Sequence, residues 1–86
     1  MEISVELTLT PLKDDFKTII KDFIISLRNS NLKIIETPLS TQIYGDYKKV
    51  MSCLDNNIYN TFLKSDNIIL NIKIIKSNRS DYVPDF

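Results

Sequence analysis

Small hydroxyl and amide side chains stand at the centres and ends of the apolar segments of this chain: Thr8, Ser40, Thr41, Gln42 and Asn71. Buried groups of this kind need hydrogen-bond partners, because an unpaired one costs about 1–3 kcal/mol. Two interpretations follow. In the first, these side chains pair with each other or with a second subunit. In the second, they line a pocket for a small heterocycle, because hydroxyls and amides can match its hydrogen-bond donors and acceptors without an ionised group.

Acid-base and metal chemistry have little support in the sequence. The chain contains no histidine, the side chain most used for proton transfer near neutral pH and for zinc or copper ligation. Paired carboxylates, glycine-rich phosphate loops and nucleophile-base pairs are also missing. Glu6 and Lys73 are predicted to face each other on neighbouring strands, as an ion pair or as a carboxylate near a cationic ligand. We therefore expect a binding protein rather than an enzyme, with no metal and no cofactor.

Composition limits the partners and the compartment. The formal net charge is zero and no basic run exceeds Lys48-Lys49, so the cationic footprint of a nucleic-acid-binding protein is missing. The apolar runs are far shorter than the ~20 residues that span a bilayer. The N-terminus enters a strand without the features of a signal peptide, and the lone Cys53 cannot form an internal disulfide. These features predict a cytoplasmic protein that binds neither nucleic acid nor membrane.

The hydrophobic pattern predicts six elements in the order β-α-β-β-α-β. They are a strand over 2–10, a helix capped by Asp14 or Asp15 and closed by Asn29-Ser30-Asn31, strands over 32–37 and 39–44, a helix capped by Asp46, and a strand over 68–76. This is the order of a ferredoxin-like α+β sandwich, with two helices on one face of a four-stranded antiparallel sheet. We assign residues 1–80 to the domain and 81–86 to an extended tail.

Apolar stripes predict which faces are buried. The helix stripes are Phe16, Ile19, Ile20, Phe23, Ile24 and Leu27, then Tyr47, Val50, Met51, Leu54, Ile58 and Phe62. The last strand places Ile68, Leu70, Ile72 and Ile74 on one face. The opposite, open face of the sheet would carry Glu6, Thr8, Ile69, Asn71, Lys73 and Ile75. Because this face is mixed rather than uniformly polar, we expect another subunit to cover part of it, in a homodimer or homotetramer.

Two strand-to-helix corners resemble those of the YkoF-like thiamine-binding proteins, a family of ferredoxin-like domains. The first is Leu9-Thr10-Pro11-Leu12 followed by Asp14-Asp15-Phe16. The second is Ser40-Thr41-Gln42-Ile43-Tyr44-Gly45-Asp46, with Val50-Met51 in the helix behind it. Thr10 stands where the family usually has a tyrosine, so a stacking contact from that ring is not expected.

The resemblance implies non-catalytic binding of thiamine or its hydroxymethylpyrimidine half. By position, it points to Thr8, Thr10, Ser40 and Thr41 as ligand-binding residues. Glu6 and Asn71 on the open face complete the candidate set. The alternative is a self-assembling structural or regulatory module with no small-molecule ligand.

Overall fold

The computed structural model describes residues 1–12 and 16–86. Its elements are β1 (Glu2–Pro11), α1 (Phe16–Arg28), β2 (Lys33–Glu36), β3 (Thr41–Asp46), α2 (Tyr47–Phe62) and β4 (Ile68–Lys76). The predicted order is confirmed, and the chain has a ferredoxin-like α+β fold. The bounds of β4 agree with the prediction at both ends.

The sheet is antiparallel throughout, with strand order β2-β3-β1-β4. β1 and β3 are central and β2 and β4 form the edges, the arrangement expected of a ferredoxin-like β-α-β-β-α-β order. Val5 shows the register, since it lies opposite Ile43 on β3 and Ile74 on β4. Because side chains alternate along a strand, this register places the odd-numbered residues of β1 beneath the helices.

The core lies between the sheet and the two helices. Its buried members are Ile3, Val5 and Leu7 from β1, Ile43 from β3, Phe23 and Leu27 from α1, and Val50 and Leu54 from α2. Full burial of one such side chain contributes about 1.5–3 kcal/mol. The alternation of β1 and the helix stripes therefore account for the layered packing.

The connection between β2 and β3 differs from the prediction of strands over 32–37 and 39–44. The Thr37 hydroxyl accepts hydrogen bonds from the backbone N–H groups of Leu39 and Ser40, at 3.2 and 3.1 Å. The Thr37 N–H and hydroxyl both donate to the Ser40 carbonyl at 3.0 Å. These bonds close a turn, because a threonine side chain can satisfy nearby backbone groups in place of a strand ladder.

Side-chain and backbone geometry explains how the helices begin and end. Asp46 caps α2 as predicted, since its Oδ2 accepts from the Lys49 N–H at 3.4 Å. After α1, Asn31 adopts the left-handed φ of 64° that asparagine tolerates. A Cβ on Gly45, whose φ is 158°, would lie 3.2 Å from Leu32 Cδ2, so this corner suits glycine. The predicted caps Asp14 and Asp15 lie outside the described residues.

Some residues of the predicted stripes are exposed. Phe16, Tyr47 and Phe62 are 43–45% exposed, whereas Thr61 is buried. Each of the three aromatic residues is the first or last residue of its helix. The apolar period is correct, but the opposing layer covers the helix ends less than the helix centres.

The helix side of β4 also differs from the prediction. Ile72 and Ile74 point to the same side of the sheet as the core residues Leu7 and Val5 opposite them, yet they are 41% and 48% exposed. The helices pack over β1 and β3 rather than over β4. The outer part of this edge strand therefore lies beyond the core.

Within the described part of the chain, neither helix has the length and apolar character needed to cross a membrane.

Candidate functional site

Glu6 lies at the centre of a polar cluster on the open face, the side of the sheet away from the helices. Its Oε2 accepts a hydrogen bond from Ser40 Oγ at 2.9 Å, and its Oε1 lies 3.7 Å from Lys73 Nζ. The predicted pairing of Glu6 with Lys73 is confirmed. Both side chains are well exposed, so this ion pair contributes less than about 1 kcal/mol.

The strand register brings most of the predicted site residues onto this face. Thr8 lies opposite Asn71, and Thr10 lies opposite Ile69. A shallow depression of about 250 Å³ runs along these strands, lined by Glu6, Leu7, Thr8, Asn71, Ile72 and Lys73. Thr10 is exposed and lies nearer the end of β1.

Thr41 points to the other side of the sheet. It lies opposite the core residue Leu7 and is 8% exposed, whereas the side chain of its neighbour Ser40 reaches Glu6 on the open face. Successive residues of an extended chain point to opposite faces, so Ser40 and Thr41 cannot share one. Ser40 and Thr41 therefore cannot both contact a ligand that lies on the open face, although they are neighbours in the sequence.

A notch at one end of the sheet, beside β1 and before the start of β3, nevertheless brings Thr8, Ser40 and Thr41 together. The pair Leu7–Thr41 is the last between β1 and β3, so residues 8–11 have a strand neighbour only in β4. The space beside them forms a cavity of about 190 Å³. Its other walls are Leu7, Leu9, Ile20, Phe23, Ile24 and the turn residues Thr37, Pro38 and Leu39. The notch is lined by hydroxyl-bearing residues from both faces of the sheet and by apolar residues.

A second depression on the open face includes residues that the sequence did not single out as binding residues. It measures about 160 Å³ and is lined by Ser4, Val5, Glu6, Gln42, Tyr44, Lys73, Ile75 and Arg79. The Tyr44 hydroxyl donates to Gln42 Oε1. Ser4 Oγ donates to the Ser77 carbonyl and accepts from the Arg79 N–H, both at 2.8 Å. Alternation in β1 places Ser4 on this face, but gives no sign that residues after β4 cover it.

A polar groove of about 690 Å³ lies between the helices on the other side of the molecule. It is lined by Ser26, Ser30, Asn31, Leu32, Lys48, Lys49, Ser52, Cys53, Asn56 and Asn57. Cys53 is half-buried and packs against the core. The groove contains none of the predicted ligand-binding residues.

Two carboxyl groups outside the cluster have lowered pKa values. The Glu36 pKa is held below its ordinary value mainly by hydrogen bonds from Arg28, at 2.6 and 2.7 Å. The Asp46 pKa is lowered mainly by the hydrogen bond from the Lys49 N–H at the start of α2. Both carboxyl groups therefore stabilise the fold when ionised.

These shifts predict acid-sensitive stability. A carboxyl group whose pKa is lower in the folded state contributes stability above its unfolded pKa, and loses it as the pH falls through the folded value. We expect a nearly constant melting temperature between pH 6 and 8, because no histidine titrates there, and a decline below about pH 4. Thermal melts of the parent and of Glu36→Gln combined with Asp46→Asn check this. An equally steep acid decline in the double variant would contradict the assignment.

Together these features define a ferredoxin-like domain with a polar cluster on its open face and, at one end of the sheet, a notch lined in part by Thr8, Ser40 and Thr41. No protein-family model matches the chain, and no curated protein matches it. Solved structures share its fold. A Streptococcus pneumoniae protein superposes with a TM-score of 0.83 and 24% identity, over 91% of this chain and 89% of that one.

Two further solved structures resemble the chain at lower identity. A Thermotoga maritima protein provisionally assigned to thiamine biosynthesis or salvage has a TM-score of 0.80 and 15% identity, over 90% of this chain and 85% of that one. A Bacillus cereus domain of unknown function has a TM-score of 0.76 and 12% identity, over 99% of this chain and 85% of that one. At these identities the likeness establishes the fold.

Proposed function

We propose that this protein binds thiamine or a related hydroxymethylpyrimidine compound without chemical turnover, as a YkoF-like domain. The observation that carries the proposal is the notch beside residues 8–11, where Thr8, Ser40 and Thr41 meet an apolar wall. Ligand sites typically combine an apolar lining with a few convergent polar groups. An aminopyrimidine offers an alternating donor and acceptor edge to such hydroxyls, and its ring offers an apolar face.

The size of the notch favours one ring over a whole two-ring ligand. Its volume of about 190 Å³ is smaller than ~300 Å³, the lower limit of the usual range of ligand-pocket volumes. We infer that the pyrimidine half occupies the notch and that the other half extends out of it. Glu6, joined to the notch through the 2.9 Å bond from Ser40, offers a carboxylate to the thiazolium cation.

The comparisons support this proposal without testing the ligand. The Thermotoga maritima neighbour is linked to thiamine biosynthesis or salvage, and its fold covers 90% of this chain. The corner motifs around Pro11 and Gly45 point to the same class of ligand.

Absence of turnover is part of the proposal. Catalysis by general acid-base or nucleophilic routes needs a positioned base with a suitable pKa. The chain has no histidine, and Glu6, the carboxylate that accepts a hydrogen bond from the notch residue Ser40, is well exposed and also paired with Lys73. We assign Glu6 to orientation of Ser40 and to the ligand's charge.

Calorimetric titration with thiamine and with hydroxymethylpyrimidine tests the proposal. We expect saturable one-to-one binding of at least one of them, with similar affinity at pH 6 and pH 8. Thiamine recovered after incubation should be intact. Appearance of separate pyrimidine and thiazole products would replace the binding assignment with an enzymatic one, and absence of any heat or saturation would remove it.

A self-assembling module with no small-molecule ligand is the second candidate. The exposed isoleucines on both faces of β4 favour it, because such a surface suits a protein partner. Failure of both titrations together with stable self-association would support this function.

A further inference from the structure

The outer edge of β4 is open. β4 is nine residues long, and among residues 1–12 and 16–86 it pairs only with β1, so one side of its backbone has no strand partner there. Ile69, Ile72, Ile74 and Ile75 are 41–48% exposed and occupy both of its faces. A long apolar edge strand is a template for pairing with another chain. β4 lacks the proline and the short length that usually prevent this; it carries two lysines, of which Lys73 is paired with Glu6.

The other edge of the sheet is protected. β2 has only four residues and carries a charged residue at each end, Lys33 and Glu36. Glu36 is also held by two hydrogen bonds from Arg28 of α1. Short, charged edge strands resist pairing with another sheet. Of the two edges, β4 is therefore the one suited to a partner strand.

From Ile69 to Ile75, β4 keeps the same pattern of apolar and polar residues when it is reversed about Ile72. A two-fold axis perpendicular to the sheet relates the two antiparallel edge strands. Side chains on the open face of one subunit therefore lie on the same side as those on the open face of its partner. With Ile72 on the axis, Leu70 lies opposite Ile74 of the partner subunit, and Ile69 lies opposite the partner's Ile75. Asn71 lies opposite the partner's Lys73. Each exposed isoleucine then faces an apolar residue, and no cation faces a cation.

Neighbouring registers are less favourable. An axis at Lys73 would place Lys73 directly opposite the partner's Lys73, and like charges in that position destabilise the pairing. An axis at Asn71 would place Lys73 opposite the partner's Ile69, and Ile75 opposite a residue beyond the end of β4. The register about Ile72 alone combines apolar pairing with charge separation.

We infer that β4 is the symmetric interface of a homodimer, with two four-stranded sheets joined into one through antiparallel β4 pairing about Ile72. The partner copy then adds a residue to the polar surface. Thr8 and Asn71 already lie in one row across β1 and β4. The partner's Lys73 extends this row, so the depression lined by Glu6, Thr8 and Asn71 acquires a cation from the second subunit.

Light scattering and sedimentation over a concentration series test the interface. We expect a mass of about twice the 10.0 kDa chain at micromolar concentration. Ile72→Lys should raise the dimer dissociation constant at least about tenfold, because it removes apolar contact and opposes two cations at the axis. Ile69→Lys and Ile75→Lys should also weaken the dimer. Ile25→Lys, at a residue 39% exposed on α1, is the matched control and should leave it unchanged.

Cysteine cross-linking in a Cys53→Ser background tests the register. Opposed residues lie about 4.5–5.5 Å apart, within disulfide range, whereas residues one diagonal step away lie about 7–8 Å apart. Ile72→Cys should therefore cross-link to itself rapidly. Asn71→Cys and Lys73→Cys should each do so slowly, but their equimolar mixture should cross-link rapidly.

The outcomes are decisive in either direction. A monomer throughout the concentration series would overturn the inference, as would a dimer that Ile72→Lys and Ile25→Lys affect equally. Fastest self-cross-linking at Asn71 or Lys73 would overturn the register. Each substitution in β4, and Ile25→Lys, should keep the circular dichroism spectrum of its own parent, with or without Cys53→Ser, because these side chains are exposed. None of these readouts depends on the thiamine proposal, so either can fail alone.

Discussion

Replacing Phe23 by alanine is expected to lower the free energy of unfolding by about 3–5 kcal/mol. Phe23 is 2% exposed and belongs to the core cluster where α1 packs against the sheet. Alanine removes the ring and leaves a cavity that the surrounding side chains fill only in part. Since small domains have a total stability of about 5–15 kcal/mol, this loss is a large fraction of it.

Urea denaturation followed by circular dichroism measures this loss. Ile25→Ala provides the control, because Ile25 lies on the same helix but is 39% exposed. We expect the control to change the free energy of unfolding by less than about 0.5 kcal/mol. Equal losses in the two variants would mean that α1 does not bury the face containing Phe23.

Removal of the notch hydroxyls is the second prediction. Thr8→Val and Thr41→Val delete a hydroxyl with little change in shape, so they test hydrogen bonding rather than packing. Loss of one hydrogen bond costs roughly 0.5–1.5 kcal/mol, or about a threefold to tenfold loss of affinity for the pyrimidine ligand. If the two hydroxyls act independently, the double variant should lose about tenfold to a hundredfold.

Thr18→Val is the matched control for these variants, because Thr18 is exposed on α1 and does not line the notch. Calorimetric titration gives the affinities, and thermal melts give the stabilities. If both notch variants bind like the parent while Glu6→Gln abolishes binding, the site is organised around the ligand's cation on the open face. If all three lower the melting temperature without changing affinity, these residues are structural and the notch is not the site.

The sequence alone determined the order of the elements and the position of the strands in the sheet. Alternation in β1 and β4 identified the open-face residues and predicted that Glu6 faces Lys73, which the structure confirms at 3.7 Å. Local chemistry also predicted the Asp46 cap and the left-handed end of α1 near Asn31. These features depend on neighbours in sequence or on a strict period, so the sequence encodes them directly.

Only the tertiary structure decided how the layers overlap and where the strands stop. The Thr37 turn delays the start of β3, which leaves residues 8–11 without a β3 neighbour and creates the notch where Ser40 and Thr41 meet Thr8 from opposite faces. The helices cover β1 and β3 but leave Ile72 and Ile74 exposed. Periodicity specifies the direction in which a side chain points. Its burial depends on how far the opposing layer extends, which no local pattern records.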